Sequence, residues 1–173
     1  MIIEAFKDEY IRYKKLAERS IDQLTEDEIH KVIGDENNSV AIIVGHISGN
    51  LKSRFTDFLT SDGEKEWRHR DSEFEDKNFK KADIIIQLEE GWKVLIVTLD
   101  SLTDDDLNKT VTIRQKPLTV IEALTRSLAH TSYHVGQIIT ISKMILGKNW
   151  KTLSIPKGKS EDYNLNPTME KFK

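Results

Sequence analysis

The segment from Thr119 to Gly147 most constrains how this chain can fold. Ile121, Leu124, Leu128, Thr131, Val135, Ile138 and Ile145 recur there at steps of three and four, a spacing that puts them on one face of an α-helix. Thr119 and Glu122 stand at capping-box spacing in front of the run, and Gly147 supplies the stop behind it. A rod of this length with one apolar stripe must bury that stripe against other elements.

Three further segments carry the same period. Phe6, Tyr10, Tyr13, Ala17, Ile21 and Leu24 mark a first helix, and Thr25 with Glu28 predicts a short capped turn after it. A second helix, capped by Asn38 or Ser39, runs to about Thr60 with Val40, Ile43, Ile47, Leu51 and Phe58 inward. The third spans about 82–102, with Ile85, Leu88, Trp92, Leu95, Leu99 and Leu102 inward and Gly91 as a weak point. Residues 61–80 are strongly charged and form a long connection, whose aromatics Trp67, Phe74 and Phe79 suggest that it packs down. The alternating, β-branched segment near 109–117 reads as a short β-hairpin or extended segment, and the tail from 148 as irregular. The expectation is an all-α four-helix bundle, residues 1–173 forming one domain.

Composition removes several classes of function. The net charge is −3, so there is no overall basic field for nucleic acid. The absence of cysteine excludes disulfides, a thiolate zinc site and a cysteine nucleophile of the chain's own, and it fits a reducing cytoplasm. The first residues lack the basic-then-apolar pattern of a secretory signal, and no apolar run approaches the roughly 20 residues that span a bilayer. A soluble cytoplasmic protein without membrane or nucleic-acid partners is expected.

Chemistry is concentrated in the histidines. His130 and His134 lie four residues apart in the last helix, hence on one face one turn apart, where two imidazoles can address one cation. Hydrogen bonding beside the core is the plainer use of such a pair. His46 supplies a third ring from the middle of the second helix, among the small residues Gly45, Ser48 and Gly49, which permit close approach of a helix, ligand or water. Three neutral imidazoles from facing helices would leave one divalent ion with open positions, a catalytic arrangement. Zinc, nickel and iron all accept imidazole, and the sequence does not choose between them.

No Glu follows His130, so the zincin general base is missing, and Tyr133 reads as packing. Asn50 and Gln137, each one turn from a histidine, could orient water or ligand; Arg68 and Arg70, flanking His69, could line a mouth for an anionic substrate; His30 reads as exposed.

A histidine in the second helix plus HxxxH in the fourth, within a bundle of this size, resembles the DinB/YfiT-like metalloprotein superfamily across essentially the whole chain. WRHRDSEFE in the connection and SIPKGKSEDYN in the tail are similar to a bacterial branch of unassigned function. The resemblance implies a three-histidine metal site made by His46, His130 and His134, and homodimers. It also implies chemistry with low-molecular-weight thiols of the bacillithiol type, in which the ion activates the thiol toward an electrophile. A metal-dependent hydrolase and a non-catalytic metal-binding stress-response protein are the competing expectations.

Overall fold

The computed structural model describes residues 1–167. Four long helices, α1 (Ile2–Ile21), α2 (Val40–Phe55), α3 (Lys81–Ser101) and α4 (Val120–Leu146), form a bundle. α2 lies along α3 and α1 along α4, and α2 also meets α4. A hairpin of β1 (Thr110–Ile113) and β2 (Lys116–Thr119) leads into α4, and a short helix α5 (Ser160–Leu165) lies in the otherwise irregular tail. The mostly-α bundle with one small hairpin agrees with the sequence pattern, apart from residues 168–173 of the tail, which fall outside the described residues.

The helix starts follow local chemistry. Ser39 caps α2 by accepting from Ile42 N, and Thr119 and Glu122 form the reciprocal capping box of α4. Thr25 and Glu28 likewise bond each other's backbone N–H ahead of a single turn at Glu28–His30. α1 has no local cap; Asp104 instead accepts from Ile2 N and Ile3 N at 2.9 and 3.0 Å and supplies the anion that a helix N-terminus favours.

Three details differ from expectation. α2 stops at Phe55, short of Thr60, because Thr56 is extended and Asp57 turns left-handed at φ 49°; Phe58 still reaches the core. In α3 Ile84 is the buried residue and Ile85 only partly so. The hairpin continues past Pro117 to Thr119, since Pro117 sits on a two-stranded sheet whose outer edges need no ladder donor. Its turn, Arg114–Gln115, has φ of 53° and 62° without a glycine. Asp62 compensates by accepting from both amides, at 2.8 and 2.7 Å.

The core contains Tyr10, Leu88, Trp92, Leu95, Leu99 and Leu124 among its fully buried side chains. Three side-chain hydrogen bonds tie its helices together: Trp92 Nε1 donates to Tyr10 O, Tyr10 Oη to Leu124 O, and Thr98 Oγ1 to Phe55 O. At Gly91 α3 approaches α2 tightly, because a Cβ there would lie 2.8 Å from Ser48 Cα. The position that weakens α3 as an isolated helix is what allows it to dock.

Candidate metal centre

The site lies where α2 faces α4. His46 is mid-way along α2 and 4% exposed, and the capped rod α4 carries His130 and His134 one turn apart. His130 Nε2 lies 3.3 Å from His46 Nε2 and 3.1 Å from His134 Nε2. Ligand atoms of all three rings fall within 4.8 Å of one another. Adjacent nitrogens around a tetrahedral ion bound at about 2.0–2.1 Å stand about 3.3–3.4 Å apart, so the two short separations match neighbouring ligands of one ion.

The outer ring nitrogens decide which way the lone pairs point. His46 Nδ1 is 2.9 Å from Glu73 Oε2. An ionised carboxylate only accepts, so His46 carries its proton on Nδ1 and turns the Nε2 lone pair inward. His134 Nδ1 is 2.7 Å from Gln137 Oε1, whose amide nitrogen donates to Tyr133 Oη, and this fixes the same tautomer. His130 Nε2 thus faces two lone pairs and can donate a proton to only one of them. A shared cation satisfies all three nitrogens.

Burial, then the neighbouring His134 and His46, hold the His130 imidazole down to about 4, and burial lowers His134 as well. Neutral imidazole is the ligating form. Burial opposes ionisation of Glu73, but the hydrogen bonds from His46 and Arg68 outweigh it and keep this carboxyl below its ordinary value.

Glu73 comes from the long connection, in a turn at Arg70–Phe74 that lies over α2. Arg68 grips it with two bonds of 2.8 Å, Nε to Oε1 and Nη2 to Oε2, a planar fork meeting a carboxylate. Gly49 makes room: a Cβ there would fall 2.2 Å from Glu73 Oε1. Phe74 stacks at a tilt over His46, ring centres 4.8 Å apart.

The model of a family described as "Protein of unknown function (DUF1572)" matches residues 1–159. The chain belongs to the DUF1572 family. No curated protein and no solved structure matches it.

In this DUF1572 chain the structure brings together the three histidines of the sequence reading and places the other candidates around them. Gln137 is the partner of His134, and Asn50, 8% exposed, lines a cavity beside His46. That cavity, about 180 Å³, is also walled by His130, Arg54, Arg68, Arg70, Arg114 and Arg126. Arg68 lines it, but its side chain is buried and engaged with Glu73, so it positions the carboxylate as much as it faces the opening. His69 is exposed and takes no part in the cavity wall.

Three expectations need correction. Of the connection's aromatics only Phe74 packs at the site; Trp67 and Phe79 remain exposed, and the buried side chain is that of Arg68. Tyr133, read as packing, is exposed and lies beside the site, its ring against His134 and its hydroxyl accepting from Gln137. His30 is mostly covered, bonded to Asp76 and Phe79 O, and ties the connection to the end of the bundle. The sequence reading missed Glu73 altogether. The signal for it was Gly49: a helical glycine next to a buried histidine leaves room for an incoming group.

Among the described residues no helix is long and apolar enough to cross a membrane.

Proposed function

We propose that this chain is a divalent-metal-dependent enzyme, with His46, His130 and His134 as ligands, and that it activates a small external thiol toward an electrophile. The convergence of three Nε2 atoms, with the outer nitrogens of His46 and His134 held by acceptors, carries the reading. A bound ion would supply Lewis acidity, lowering the pKa of a thiol or water at its remaining positions.

The chain's own residues prepare that site. Glu73 and Gln137 set the ring tautomers, burial keeps His130 and His134 neutral, and the adjoining cavity admits a small molecule. The chain has no cysteine, so a thiol nucleophile must come from outside. Both oxygens of Glu73 are engaged, and no carboxylate lines the cavity, which leaves hydrolysis through a carboxylate base without a candidate. The DinB/YfiT-like resemblance supports the same chemistry.

Elemental analysis of the purified protein should find about one equivalent of zinc, nickel or iron, lost in a His130→Ala/His134→Ala variant; a metal-free wild type would overturn the reading. In cobalt-substituted protein a low-molecular-weight thiol should alter the visible spectrum. If no thiol does so at millimolar concentration, thiol activation is wrong even where the ion binds.

A further inference from the structure

The cavity beside the histidines carries more cationic charge than its carboxylate partners neutralise. Five arginines line it, from α2 (Arg54), the connection (Arg68, Arg70), the hairpin turn (Arg114) and α4 (Arg126), and no Asp or Glu does. The whole chain carries −3, so this concentration of guanidinium is local and runs against the overall balance.

Some of these cations have structural partners. Arg54 and Arg114 share Glu64, and Arg68 holds Glu73. Arg70 meets Asp71 only at 3.8 Å, that carboxylate being fully exposed, and its guanidinium lies 5.0 Å over the Phe74 ring. Arg126 has no hydrogen bond or ion pair among the described residues. It stands one turn before His130, on the same face of α4. Crowding guanidinium groups into a partly enclosed space is unfavourable unless an anion joins them. Burial lowers the pKa of Arg54 below its ordinary value against the attraction of Glu64, and Arg68 and Arg114 add to that lowering.

We infer that this cavity is an oxyanion subsite, which holds the phosphate or carboxylate group of the substrate on which the histidine centre acts. Guanidinium forks match both groups bidentately, and His46 and His130 form part of the same wall. An anion held by Arg126 and Arg70 would place the remainder of a small substrate toward the three imidazoles. The inference gives a substrate class to the proposed metal centre and to that extent rests on it.

The test uses the full chain, metal-loaded and chelated, titrated calorimetrically at low salt with inorganic phosphate and, separately, with succinate. At least one probe should bind at millimolar concentration in both forms, and Arg126→Gln should weaken it roughly tenfold or more. Arg126 is exposed and unpaired, so the variant should melt like wild type; an Arg70→Gln variant provides a second reading. The preferred probe identifies the group. Binding of neither probe, binding undiminished in both variants, or binding that appears only with metal and ignores Arg126 would overturn the subsite. Arginine-dependent binding in a protein whose elemental analysis shows no metal would leave the subsite standing and remove the metal reading.

Discussion

Glu73 is a ligand to nothing, yet it controls how His46 presents itself. Replacing the carboxylate by an amide keeps the shape and removes the obligate acceptor, so Glu73→Gln should lower metal affinity about 10–100-fold while the fold persists. Competition with a chromophoric chelator reads this directly, and wild-type affinity in the variant would show that the contact has no influence on the ring. Arg68 acts one step further out. Its side chain is 2% exposed against 12% for Glu73. Arg68→Ala would leave a largely buried carboxylate without its cation, at a cost of about 3 kcal/mol, measurable by urea unfolding. The three histidines could be read from the sequence because helix period turns spacing into direction. Glu73 could not, because a residue in an irregular connection has no period to aim it. Gly49, noticed among the small residues near His46, showed that something approaches without showing what.

The elements carry their own tests. Gly91 and Gly136 are both helical glycines, yet a Cβ would meet Ser48 Cα at 2.8 Å in the first case and nothing within 4 Å in the second. Gly91→Ala should therefore destabilise by about 1–3 kcal/mol through forced separation of α2 and α3. Gly136→Ala should stabilise by up to about 1 kcal/mol through helix propensity alone. Thermal melts of the two variants moving in the same direction would refute this account of the packing. From sequence Gly91 looked only like a mild weakness, because propensity is local and the approach of another helix is not.

The hairpin turn depends on Asp62 in a way that acid should expose. Burial is the largest single influence and raises its pKa, but the amides of Glu64, Gln115 and Arg114 together prevail and bring it from 3.8 to about 2. A carboxyl depressed in the folded state contributes its stability fully above the unfolded value and loses it as pH falls from near 4 toward 2. Asp62→Asn should flatten that part of the stability–pH curve. An unchanged acid limb would mean that the turn holds without the charge.

Across the whole molecule, the stripes of α1 to α4 were legible because each helix buries one face continuously. Their ends were less so: α2 stops where Thr56 and Asp57 leave helical geometry, which no periodicity announces. The core is dense with apolar contacts that do not involve the histidine centre. Chelation should therefore lower the melting temperature without abolishing cooperative unfolding; collapse of the fold on metal removal would favour a structural ion. The family resemblance also implies a homodimer. Sedimentation at micromolar concentration should then show a species of twice 20.0 kDa, and a 20.0 kDa species alone would contradict it.

That Glu73 is delivered by the strap between α2 and α3 also affects how sister sequences should be ranked. A relative that keeps all three imidazoles but has lost the Arg–Glu clasp, or has gained a side chain where Gly49 stands, would pass any ligand count and still hold its ion loosely. Variation in a stretch that donates no ligand would then sort tight binders from weak ones.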